Sequence, residues 1–104
     1  MGAMERRKGT RGELEVAAIL TKAGFPARRD GRLTADLLHT LPGGLHLEIK
    51  HQERIQILEW IRQAETDAAK QNLTPAVVWR KNRMPWQITL GLDAFLQIMK
   101  EGAK

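Results

Sequence analysis

Leu45-His46-Leu47-Glu48-Ile49-Lys50-His51 is the stretch on which the fold turns. Apolar Leu45, Leu47 and Ile49 alternate with polar His46, Glu48 and Lys50, the period-two pattern of a half-buried strand. The run opens after Pro42-Gly43-Gly44, strong hairpin punctuation, and a short apolar-rich run over residues 35–41 precedes it. With those three residues as the loop, Leu41 pairs with Leu45, Leu38 with Glu48, and Asp36 with Lys50. Directly paired residues share a face, so this register gathers Asp36, Glu48 and Lys50 on one side of the sheet. Leu45, Leu47 and Ile49 are left for the core.

Upstream, residues 10–23 read as a helix that Gly24 stops, with Val16, Ala17, Leu20 and Ala23 on one broad face. Glu13 falls near the middle of that face and Glu15 points away. Two readings of Glu13 stay open: an inward-facing acid that needs a partner, or the closing residue of a capping box begun by Thr10. Residues 25–34 carry Pro26, Gly31 and several arginines, and read as a connection or a ragged first strand. Downstream the period becomes helical over residues 54–71, with Ile57, Trp60, Ile61, Ala64 and Ala68 on one stripe, closed by Asn72 and Pro75. Strands are predicted over 76–79 and 86–90, around a basic turn at 80–83. Asp93 is placed to cap a last helix to about Lys100, with Leu92, Phe95, Leu96 and Met99 facing the core. Helix, strands, helix, strands, helix implies an α/β sandwich around a mixed sheet.

A chain of 104 residues, 42% of them hydrophobic, supports one domain with a real core, taken as 1–104. Met1-Gly2-Ala3-Met4 reads as an expression remnant, and residues 1–7 are expected to be disordered. Seventeen Lys and Arg against twelve Asp and Glu leave a formal charge of +5, a bias toward a polyanion such as nucleic acid; surface charge kept for solubility explains the same number. The absence of cysteine excludes disulfides and thiolate metal sites. His39, His46 and His51 lack the spacing of a zinc site. The longest apolar stretch, near Val16–Leu20, falls far short of the roughly 20 residues of a membrane span, and no apolar leader opens the chain. The expected location is the cytoplasm, with no membrane partner. The three tryptophans fall at core-type positions.

Two neighbouring carboxylates persist together when a cation or a shared proton compensates them. A hard divalent cation with oxygen ligands, Mg²⁺ or its substitute Mn²⁺, does so and also binds phosphate. Lys50 beside the acids can orient or deprotonate a water. These parts make a phosphodiester hydrolase. A Glu-x-Lys on a strand is also common as an exposed ion pair, worth under about 1 kcal/mol, and the combination with an Asp on the preceding run and an acid on the helix favours chemistry.

At these residues the sequence resembles a family. Asp36, then Glu48-Ile49-Lys50, preceded by Gly12-Glu13, is similar to the PD-(D/E)xK nuclease superfamily, with its restriction-endonuclease-like α/β/α sandwich. The layout of Lys8-Gly9-Thr10-Arg11-Gly12-Glu13, Gly24-Phe25, Arg28-Arg29 and Asp36 further resembles archaeal-type and phage Holliday junction resolvases. The resemblance implies Glu13, Asp36 and Glu48 as metal ligands, the Ile49 carbonyl completing the set, and Lys50 as the water-activating residue. Ala35 stands where the motif has proline. Residues 30–34 hold no serine, although junction resolvases often carry one there; Thr34 is the available hydroxyl. Gln63 on the following helix is a candidate for supporting the site, or is ordinary surface. The implied substrate is branched DNA, cut by a homodimer, since two coordinated cuts need two sites. The apolar faces of the helix over residues 55–71 and of the last helix offer candidate dimer surfaces. Arg7, Lys8 and Arg11, then Arg28, Arg29 and Arg32, then Arg80, Lys81 and Arg83 form basic clusters that could neutralise phosphates beside the cleaved bond or simply be solvated surface. The alternatives are another nuclease of the superfamily (nicking, repair or restriction-type) and a non-catalytic basic nucleic-acid-binding module.

Overall fold

The computed structural model describes residues 3–30 and 37–102, with side chains described from Gly9 onward. In chain order the elements are α1 (Ala3–Lys22), β1 (Ala27–Arg29), β2 (Leu37–His39), β3 (Leu45–His51), α2 (Ile57–Lys70), β4 (Thr74–Arg80), β5 (Gln87–Leu90) and α3 (Leu92–Gly102). Both long helices end where small or polar residues tolerate a positive φ. Gly24 (φ 101) lets Phe25 N–H donate to the Leu20 carbonyl and Gly24 N–H to that of Thr21. Asn72 (φ 56) does the same for α2, through Leu73 to Ala68 and Asn72 to Ala69.

β3 and β4 pair in parallel, with α2 as the crossover, and β5 returns antiparallel to β4. The register sets Leu47 opposite Ala76 and Glu48 opposite Val77. Opposed residues share a face, so the two neighbours look into different layers. Leu45, Leu47, Ile49 and Ala76 pack with Val16 and Ala17 of α1 and with Leu37. Val77 packs with Trp60 and Ala64 of α2, flanked by Trp79. The result is the expected α/β/α sandwich around a small mixed sheet. Gly12 is what lets α1 lie close: a Cβ there would come within 3.3 Å of His51 Cβ and of the Trp86 ring.

Four expectations change. α1 begins at Ala3, so residues 3–7 belong to a helix, and Thr10 lies inside it; the Thr10–Glu13 spacing is not a capping box. β2 pairs antiparallel with β1, Arg28 opposite Leu38, and among the described residues it forms no ladder with β3. The imidazole of His39 explains this. It accepts from Leu41 N–H on Nδ1 at 3.1 Å, and its Nε2 contacts the Leu45 carbonyl at 2.7 Å. Those backbone groups belong to the two residues that the simple hairpin pairs first. Asp93 sits within the first turn of α3 rather than capping it. Finally, α3 buries no residue: Leu92, Phe95, Leu96 and Met99 keep 44–71% of their surface. The helix docks through Ile98, which joins the α1-side core and covers Gly43, where φ is 94 and a Cβ would come within 2.7 Å of Ile98.

Candidate active site

Strand alternation puts His46, Glu48 and Lys50 on the α2-facing side of β3. Glu48 is only 4% exposed there, so its carboxylate must be partnered. Lys50 Nζ lies 3.8 Å from Oε1, and His46 Nε2 lies 3.0 Å from Oε2. Asp67, one helical turn beyond Ala64 on α2, completes a cluster in which one donor atom each from His46, Glu48 and Asp67 lie within 4.8 Å of one another. Asp67 also faces Lys70 at 3.4 Å.

Glu13 is held differently. It is half-buried on α1, and its Oε1 accepts from Arg29 Nε of β1 at 2.9 Å. Among the described residues no hydrogen bond or ion pair joins the Glu13–Arg29 pair to Glu48 and Lys50. Glu15, expected to point away, has one carboxylate oxygen removed from solvent with no hydrogen-bond partner among the described residues. Asp36, Ala35, Thr34 and Arg32 lie outside the described residues, as does the Lys8 side chain.

Of the candidate DNA-contacting side chains, Arg11, Arg28, Arg29, Lys81 and Arg83 are exposed. Arg80 is half-buried, its guanidinium 5.6 Å over the Trp86 ring, and Arg83 takes a positive φ of 66 in the β4–β5 turn. That turn is anchored from β3 and the segment after it: His51 Nε2 contacts Asn82 Oδ1 at 3.0 Å, and Asn82 N–H donates to Glu53 Oε2 at 2.6 Å. Gln63 is exposed on α2. Trp60 is in the core, whereas Trp79 donates from Nε1 to Thr89 Oγ1 and Trp86 meets His51 edge-on.

His46 and Asp67 were not predicted from sequence. The signals were present: His46 has the parity of Glu48 along β3, and Asp67 lies seven residues after Trp60, almost in line with the buried stripe. The donor chemistry suits a divalent cation. Glu48 offers a buried carboxylate oxygen 3.8 Å from the Lys50 ammonium, beside donors from His46 and Asp67.

An α/β/α sandwich with a buried Glu and a neighbouring Lys two residues on along β3 defines a PD-(D/E)xK-type nuclease. The chain belongs to the family described as "Phage putative PDDEXK endonuclease", whose model matches residues 4–103. Among solved structures it is similar to Hjc of Archaeoglobus fulgidus, a Holliday junction resolvase from an archaeal hyperthermophile, at 25% identity and a TM-score of 0.61, over 80% of this chain and 72% of that one. No curated protein matches. Nucleases of the PDDEXK class generally depend on a divalent metal. Among the described residues no helix is long and apolar enough to cross a membrane.

Proposed function

We propose that the protein is a Mg²⁺-dependent, structure-selective endonuclease that hydrolyses phosphodiester bonds in four-way junctions or related branched DNA, in the cytoplasm and as a homodimer. The observation that carries the reading is Glu48: a carboxylate 4% exposed, with Lys50 on the same strand face. A buried acid of this kind costs stability unless it serves a partner, and a divalent cation is the partner that also serves phosphate chemistry. Glu13, Asp36, Glu48 and the Ile49 carbonyl would hold the ion, with Mn²⁺ as a substitute. The ion would neutralise charge growing on the phosphate.

Lys50 would orient the attacking water, whose proton passes to solvent as the water oxygen bonds to phosphorus and the P–O bond breaks; the leaving oxygen collects a proton from solvent. Arg11, Arg28, Lys81 and Arg83, exposed at the ends of elements, would meet phosphates on either side, with Lys8, Arg32 and the anchored Arg80 alongside. The neighbour's resolvase activity supports the junction substrate. The uncovered apolar face of α3 supports a second copy as its occupant, since paired cuts need two sites.

The test is cleavage of a synthetic four-way junction, a flap and plain duplex, with and without Mg²⁺. Junction cutting only with Mg²⁺, abolished by Asp36→Asn, is expected. Equal cutting of plain duplex would overturn the junction preference, and no cutting of any substrate would overturn the nuclease.

A further inference from the structure

The two oxygens of Glu48 have different partners. Oε1 faces Lys50 Nζ at 3.8 Å; Oε2 lies 3.0 Å from His46 Nε2. His46 is itself 5% exposed, so the pair is sealed between β3 and α2. A carboxylate accepts, so Nε2 is the protonated ring nitrogen in this contact. Asp67 approaches both groups from α2. A metal ion held by all three side chains through His46 Nε2 would have to displace the hydrogen bond. It would also bring an imidazole nitrogen into a site otherwise made of oxygen, which suits zinc or copper better than magnesium.

We infer that His46 is a positioning residue for Glu48: its Nε2–H holds Oε2, so that Oε1 alone is presented toward the Lys50 side as a ligand. This rests on the reading of Glu48 as a metal ligand. Residues two apart on a strand share a face, so β3 itself assembles the clamp before any ion arrives. A glutamate left to itself samples several rotamers and must give them up on binding. A hydrogen-bonded partner settles that choice in advance, and loss of such a partner typically weakens metal affinity about 10–100-fold.

Side-chain length supplies the test. The amide nitrogen of His46→Gln falls roughly where Nε2 stands; that of His46→Asn reaches only the Nδ1 position. Mg²⁺ binding to the protein without DNA, measured by calorimetry, is expected to stay within about threefold of wild type for His46→Gln and to weaken about 10–100-fold for His46→Asn and His46→Ala. Extra Mg²⁺ should restore single-turnover cleavage in the weakened variants. Proton–nitrogen NMR of the wild-type imidazole should show Nε2–H retained at saturating Mg²⁺. That measurement needs no variant, so it decides even where His46→Ala fails to fold. Loss of the Nε2 proton on adding the ion would overturn the inference and make His46 a ligand. Equal affinity in all four proteins, or His46→Gln as weak as His46→Ala, would overturn it too, while leaving Glu48 as a ligand. A wild type that binds no Mg²⁺ would overturn both.

Discussion

Arg29→Ala should change two properties in opposite directions. Arg29 Nε donates to Glu13 Oε1 at 2.9 Å, with side chains 42% and 15% exposed. A pair this open contributes at most about 1 kcal/mol. Without a divalent cation the guanidinium is what compensates the Glu13 carboxylate, so its removal leaves that charge to the ion. At 1.4 kcal/mol per decade, Mg²⁺ binding to the free protein should tighten by up to about fivefold. The same guanidinium lies on an exposed strand beside Arg28, where DNA would pass. Its loss should weaken DNA binding and lower the slope of log affinity against log salt by about one. Calorimetry with Mg²⁺ and mobility-shift titrations in EDTA at several salt concentrations separate the two effects. A loss of about 1 kcal/mol moves Tm by some 4–8 °C in a domain near this size, so the variant should stay folded. Mg²⁺ binding that weakens in Arg29→Ala would refute the reasoning, because Arg29 would then be orienting Glu13 rather than compensating it.

Glu48→Gln keeps the side-chain shape and removes its charge; cleavage should vanish while junction binding by mobility shift survives or strengthens, since a negative charge facing phosphate is gone. Leu47→Ala empties a position 1% exposed at the centre of the α1-side core and should cost about 2–5 kcal/mol in urea unfolding. Phe95→Asp with Leu96→Asp alters side chains that are already about half exposed, so the domain should keep its urea midpoint while sedimentation shows a dimer falling to monomer. A wild type that sediments as monomer at every concentration would remove α3 as the pairing surface.

What could be read in advance follows a physical division. The alternation of Leu45, Leu47 and Ile49 with His46, Glu48 and Lys50, and the stripe of Trp60, Ala64 and Ala68, are periodic signals set by backbone geometry, and both were legible. The shared face of Glu48 and Lys50 came with the first of them. The hairpin register did not survive, because a side chain competed with the backbone: no pattern in residues 37–45 announces that His39 will take Leu41 N–H and the Leu45 carbonyl. The start of α1 was masked by Thr10 and Glu13, whose spacing imitates a cap inside a longer helix. The periodicity of α3 was real, but periodicity reveals an apolar face and not what covers it. Asp67 meets His46 and Glu48 only through the α2 crossover, a tertiary event with a faint local trace.

The seating of α3 on the Gly43 turn has a consequence for how the molecule opens. A helix held mainly by Ile98 against a glycine, with its larger apolar side chains uncovered, can lift away without disturbing the β3–β4 pairing or the α2-side core, withdrawing only Ile98 from the edge of the α1-side core. Its amides should then exchange with solvent by a local opening of small free energy, while those of Leu47 and Val77 await global unfolding. The last helix is in this sense a separately melting flap, and whatever settles on it would slow its exchange far more than that of the sheet.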